Sequence, residues 1–284
     1  MLRRPAVSPL ALRRQLFLTG AGGRRSPIEI IATMGTFVTR TQAAEVSGLR
    51  AGSFGRWADG VTAMREDCVA FASHWQAHNE QVLGQCTAGE LDGNSWEDEA
   101  LGGGPLWVAL GDSTAQGLGA PTPEAGYVGQ VLEVLRERSG QPWRVLNLSV
   151  SGALISDVLT GQLPRLPASA KLVTCGIGVN DILYTKPGKL FSDLRALLAA
   201  VPDHTVVLDL PLPARYGGLI GWASLPYVAR INRTIYEIAT DRGLPVAEVS
   251  AHFMPPWAGK MAADCFHPSQ NGYRDWARAL LAVL

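Results

Sequence analysis

From Pro105 onward, short and mostly uncharged apolar runs alternate with stretches whose apolar residues recur every three or four positions. The runs Leu106–Gly111, Arg144–Val150, Leu172–Gly176, Thr205–Leu210 and Pro245–Val249 predict five β-strands. The periodic stretches near 125–139, 153–163, 188–200, 225–242 and 269–283 predict helices. The third of these opens after Pro187, a residue tolerated in a first helical turn. Strands separated by helices of this length need crossover connections, and so pair in parallel. Right-handed crossovers then place helices on both faces of the sheet. Val206-Val207-Leu208, apolar without alternation, fits a strand covered on both sides. The predicted fold class is α/β, a three-layer α/β/α sandwich around a parallel sheet of about five strands.

The first hundred residues obey a different rule. Residues 1–60 are rich in Arg, Gly, Ser and Thr, hold only short apolar pieces such as Ile28–Ile31, and are expected to be poorly ordered. Leu10 to Gly20 is interrupted by Arg13-Arg14 and Gln15, which makes a poor secretory core. The arginine-rich, acid-poor start fits a transit peptide, a flexible tail or a misassigned translation start. Between 62 and 84, Met64, Cys68, Phe71, Ala72, Trp75 and His78 recur near helical spacing, which predicts one amphipathic helix packed on the main domain. Gly89 to Gly104 reads as an acidic linker. The expected division is therefore 1–60, 61–104 and 105–284.

Composition narrows the partners. The 284 residues are 47% hydrophobic and 18% charged, and 25 Lys plus Arg balance 25 Asp plus Glu. Zero net charge gives no reason to expect nucleic acid or an electrostatic membrane anchor. No run reaches 18 apolar residues, so no integral membrane segment is expected. Cys68, Cys86, Cys175 and Cys265 lack metal-ligand spacing, and Cys175 in its apolar run reads as a buried free thiol. A Cys68–Cys86 disulfide is compatible with the sequence but nothing demands one. This usage favours a reducing, cytoplasmic compartment. The sequence carries no signal of oligomeric state.

The chemistry lies in the loops at the strand ends. After the first strand comes Gly111-Asp112-Ser113, and after the second Ser149-Val150-Ser151-Gly152-Ala153. After the third comes Gly178-Val179-Asn180-Asp181, and the last helix is preceded by Asp264-Cys265-Phe266-His267-Pro268. In a parallel sheet these loops share the carboxyl edge, where ligands bind. They bring a hydroxyl, a glycine amide, a carboxamide, an imidazole and a carboxylate, the parts required for acyl transfer from an ester. A serine hydroxyl is a poor nucleophile at neutral pH and needs a base within hydrogen-bond reach. Histidine suits that task, and a carboxylate fixes its tautomer and balances its charge.

These blocks, in this order across about residues 106–284, resemble the SGNH or GDSL-type esterase and lipase family. The resemblance rests on Gly-Asp-Ser at 111–113, Gly152, Gly-x-Asn-Asp at 178–181 and Asp-x-x-His at 264–267. It implies the flavodoxin-like SGNH hydrolase fold, with Ser113 as nucleophile, His267 as general base and Asp264 as its orienting partner. It also implies an oxyanion hole formed by the Ser113 N–H, the Gly152 N–H and the Asn180 carboxamide, with no cofactor and no metal. Thr114 stands where the family customarily has leucine, and the block Asn147–Gly152 is looser than most. The first hundred residues lie outside the resemblance.

Plainer roles compete at several positions. Asp112 suits an N-cap, Asn180-Asp181 an Asx-turn, and His267-Pro268 a loop end before a helix. Asp181 reads as structural. His74, His78, His204 and His252 lack catalytic company and read as surface or cap residues, and Ser149 and Ser151 as ordinary loop serines unless one backs up the hydroxyl network. Trp222, in the glycine-rich stretch after the fourth strand, fits either an acyl-pocket wall or a packing anchor. The expected function is hydrolysis of a small-molecule carboxylic ester through an acyl-enzyme. An acetylated carbohydrate, a lysophospholipid and an acyl thioester all fit the motifs. The alternatives are an acyltransferase using a sugar or lipid alcohol, and a non-catalytic binding module on the same fold. A nucleotide-binding reading fails because the glycines after the first strand form no phosphate-binding pattern.

Overall fold

The computed structural model describes residues 66–82, 104–212, 218–264 and 266–284, with the backbone alone for 218–223. The expectations for 1–60, for most of the acidic linker, and for Cys86 and Cys265 fall outside these residues. Helix α1 occupies 66–82, within the stretch of recurring Phe71 and Trp75. The strands are β1 (Leu106–Gly111), β2 (Arg144–Asn147), β3 (Ala170–Gly176), β4 (Thr205–Leu208) and β5 (Val246–Ala247). The helices after α1 are α2 (Ser113–Gln116), α3 (Tyr127–Ser139), α4 (Ile155–Asp157), α5 (Val179–Tyr184) and α6 (Pro187–Ala200). The last three are α7 (Gly218–Arg242), α8 (Val249–His252) and α9 (Gln270–Leu281).

The described strands form one sheet in the order β2-β1-β3-β4-β5, parallel throughout. Successive residues of β1 point to opposite faces, and both faces are buried. Leu106, Val108 and Leu110 join a cluster with Leu190, Leu194, Leu197, Ile231 and Ile235 from α6 and α7. Trp107 and Ala109 join another with Tyr127, Val131, Tyr273, Trp276 and Leu280 from α3 and α9. Two apolar cores flanking one sheet make the three-layer sandwich. Among the described residues no helix is long and apolar enough to cross a membrane.

β2 is an edge strand, and unpaired edges invite foreign strands. Here α1 covers it with side chains. Asn79 takes both backbone groups of Asn147, donating Nδ2 to its carbonyl at 2.6 Å and accepting its N–H at 2.9 Å. The His78 ring meets the Val145 carbonyl at 2.9 Å through Nε2. Phe71, Trp75 and Val82 are buried beside these polar contacts. His78, read as a surface or cap residue, is thus an edge cap on the sheet.

Several boundaries differ from expectation for identifiable reasons. The regular ladder of β2 stops at Asn147, yet the chain stays alongside β1, with Leu148 N–H on Ala109 and Val150 N–H on Gly111. In place of a helix over 153–163, α4 gives way to a π-turn at Val158–Gln162 and a 3₁₀ turn at Leu163–Arg165. Pro164 is the second residue of the last of these, and the wide turn buries Gln162. Its carboxamide then satisfies both backbone groups of Gly111, at 2.9 and 2.8 Å. Helix α7 begins at Gly218 rather than near 225, so the glycine-rich stretch after β4 is helical from there. Val249, expected to end the last strand, instead opens α8.

Candidate active site

The first site residue is delivered by a turn at the end of β1. Asp112 caps α2, its Oδ1 accepting the Thr114 N–H at 2.9 Å and hydroxyl at 2.8 Å. Capping is therefore its observed role. Ser113 comes next as the first residue of α2, on the sheet's carboxyl edge. Gly117 ends the one-turn helix in the left-handed conformation.

The second part arrives from the segment before α9. Ala262 N–H bonds the His267 carbonyl at 2.9 Å, folding 262–267 back on itself. Within it, Asp264 Oδ1 accepts the N–H groups of Phe266 and His267 at 2.8 and 2.9 Å. Asp264 Oδ2 lies 2.7 Å from His267 Nδ1, and His267 Nε2 lies 2.8 Å from Ser113 Oγ. Ser113, His267 and Asp264 are all buried. With Nδ1 donating to the carboxylate, Nε2 is left to accept the serine proton. Tyr273 ties the two parts together, its hydroxyl donating to the Leu118 carbonyl at 2.6 Å. Gly119, at φ +91°, makes their close approach possible. A Cβ there would lie 2.5 Å from the Pro268 carbonyl oxygen and 2.8 Å from His267 Cβ.

Electrostatics separate the carboxylates. Burial alone would raise Asp264, but the His267 charge and hydrogen bond, with two backbone N–H groups, hold it below the usual carboxylate range. Asp112 is raised by burial, against the hydrogen bonds from Thr114. Asp181 is pushed up to about 6 by burial, and its oxygens accept the Ile155 N–H and the Thr185 hydroxyl. That is the structural role expected of it.

The remaining predicted residues follow β2 and β3, at the same edge of the parallel sheet. Gly152 sits at φ +78°, a left-handed conformation that glycine adopts at little cost. Among the described residues neither the Ser113 nor the Gly152 N–H has an acceptor. Asn180, buried in the first turn of α5, donates one Nδ2 hydrogen to the Ala153 carbonyl at 3.0 Å. Among the described residues the other hydrogen of that amide has no acceptor. The structure thus brings together Ser113, His267, Asp264, Gly152 and Asn180 on one sheet edge. Trp222 lies in the first turns of α7, and its side chain is outside the described residues.

Sequence reasoning passed over Gln116, Asn147 and Gln162. Each is a buried amide that satisfies backbone groups around the site. Gln116 stands three positions after Ser113 on the same helical turn.

Comparison with solved structures returns the same fold at low identity. A lipase from a goat rumen metagenome, Lip_vut3, is 18% identical and superposes with a TM-score of 0.53, covering 63% of this chain and 97% of that one. TesA is 23% identical with a TM-score of 0.51, over 63% of this chain and 97% of its own. A variant of Axe2, an acetyl xylan esterase from Geobacillus stearothermophilus, is 20% identical with a TM-score of 0.51, over 63% of this chain and 93% of its own. No curated protein sequence matches. A family model does match, over residues 109–274, a span holding the Ser113 turn, the Gly152 loop, Asn180 and the Asp264–His267 pair. The chain therefore belongs to the GDSL-like lipase/acylhydrolase family.

Proposed function

We propose that this chain is a serine hydrolase that cleaves carboxylic esters through an acyl-enzyme on Ser113. The observation that carries the reading is the buried relay from Ser113 Oγ to His267 Nε2 at 2.8 Å and from His267 Nδ1 to Asp264 at 2.7 Å. In this reading His267 takes the Ser113 proton as the hydroxyl attacks the ester carbonyl. The resulting oxyanion is met by the Ser113 and Gly152 N–H groups and by Asn180 Nδ2. Each such donor is worth roughly 3–4 kcal/mol, on the scale of oxyanion-hole variants. His267 then gives its proton to the departing alcohol, and the C–O bond to the alcohol breaks. Water, deprotonated by His267, attacks the acyl-enzyme; the bond to Ser113 Oγ then breaks, His267 returns the proton to Oγ, and the acid leaves. Asp264, held ionised below the usual range, keeps Nδ1 protonated and balances the imidazolium. The catalytic unit in this reading spans 105–284, with α1 packed on it from outside.

The test is hydrolysis of p-nitrophenyl esters from acetate to palmitate by the parent and by Ser113→Ala. The parent is expected to be active and the variant to lose on the order of 10³-fold or more of kcat. The chain-length profile then separates an acetylesterase from a lipase-like enzyme. Equal activity in both proteins would overturn the acyl-enzyme reading, and a folded but inactive parent would favour acyl transfer to another alcohol or a binding role.

A further inference from the structure

Resting on that reading, we infer that Gln116 is a positioning residue for the oxyanion loop and that α1 braces it from outside the family segment. Gln116 is buried at the end of α2, three residues after Ser113. Its carboxamide spans the loop that leads into Gly152. Nε2 donates to the Ser149 carbonyl at 2.9 Å, and Oε1 accepts the Ser151 hydroxyl at 2.5 Å. Asn147 adds a second clasp, donating Nδ2 to the Ala115 carbonyl at 2.8 Å and accepting the Ser149 hydroxyl at 2.5 Å and N–H at 3.2 Å. Two buried amides therefore join the loop 147–151 to the same short helix that carries Ser113.

The consequence is chemical. Two of the three proposed donors to the oxyanion are backbone N–H groups, on Ser113 and Gly152. A backbone donor has no rotamer to adjust, and glycine at φ +78° takes its direction from its flanking residues. Gln116 makes the two donors one rigid unit. Preorganised donors gain their value from being in place before charge develops.

α1 holds this unit from behind. Trp75 Nε1 donates to the Gln116 carbonyl at 2.9 Å, while Asn79, one turn further along the same face, grips Asn147. Trp75 and Asn79 thus hold the two amide residues of the clasp, Gln116 and Asn147. Both α1 residues precede the family segment at 109–274.

The experiment uses the full chain and p-nitrophenyl butyrate. Gln116→Met keeps the side-chain length and removes both hydrogen bonds. Trp75→Phe keeps an aromatic ring and removes the N–H. For Gln116→Met, kcat is expected to fall roughly 10- to 100-fold with KM within about twofold, the pattern of a contact that matters in the transition state. The pH midpoint of kcat/KM should stay with the parent, because the relay is untouched. Trp75→Phe should show the same split at roughly two- to tenfold. A parent-like kcat, a change confined to KM, or a loss that disappears when each protein is assayed equally far below its own Tm would overturn the inference. If Gln116→Met does not fold, Trp75→Phe decides by the same criteria. Ser113→Ala keeps the two ideas apart. A parent no more active than Ser113→Ala sinks the acyl-enzyme reading and this inference together, whereas an active parent with parent-like Gln116 and Trp75 variants sinks only the inference.

Discussion

Asp264 and Asp181 are both buried carboxylates, and their surroundings drive them in opposite directions. At Asp264 the neighbouring imidazole and two backbone N–H groups overcome the penalty of burial. At Asp181 burial prevails over one hydroxyl and one N–H, and the group rises to about 6. Between about pH 4 and 6 the folded chain therefore holds a proton on Asp181 that the unfolded chain has released, so this residue's stabilising term is complete below pH 4 and lost by about 6. Asp181→Asn should remove that downward slope from a plot of unfolding free energy against pH, measured by urea titration at several pH values. An unchanged slope would place the proton elsewhere. At this scale the sequence was legible wherever a residue sits just past a strand end or has its partner close by, as Ser113, Asn180 and the Asp264–His267 pair do. Gln116 and Gln162 were not, because their partners are backbone groups 33 and 51 residues away, and nothing in an amide's neighbours reveals such a contact.

The element with the largest consequences is α1. By pairing Asn79 with both backbone groups of Asn147, it closes a sheet edge without a strand. Asn79→Ala leaves a buried N–H and carbonyl unsatisfied and is expected to cost about 2 kcal/mol, on the scale of orphaned backbone groups. Chemical denaturation measures this, and a cost near zero would mean that water replaces the amide. The helical period of Phe71 and Trp75 was readable in the sequence, but the docking partner was not. Other elements resisted for a different reason. Glycines near 217–221 weigh against helix by about 1 kcal/mol each, yet α7 begins among them, since local propensity is only a weak prior against tertiary context. Over 153–163 the apolar period is sound, but Pro164 and the buried Gln162 break the helix into three kinds of turn.

Across the molecule, the alternation of apolar runs with amphipathic stretches was sufficient for the layers and for parallel pairing, since neither depends on any single boundary. The sheet order β2-β1-β3-β4-β5 needed coordinates. Removing 1–60 leaves every contact described above in place, and kcat/KM is expected to stay within about twofold of the parent. Removing 1–82 takes Trp75 and Asn79 as well, and should lower both Tm and kcat. Equal behaviour of the two truncations would contradict the bracing role of α1. The relay also has a temporal side. Ser113 and its base are 154 positions apart, and the base and its carboxylate both belong to the segment just before α9. A ribosome that has made the whole sheet has therefore made a nucleophile with no base to activate it. On the proposed mechanism, a nascent chain is chemically silent toward esters until the segment from Asp264 onward emerges and docks.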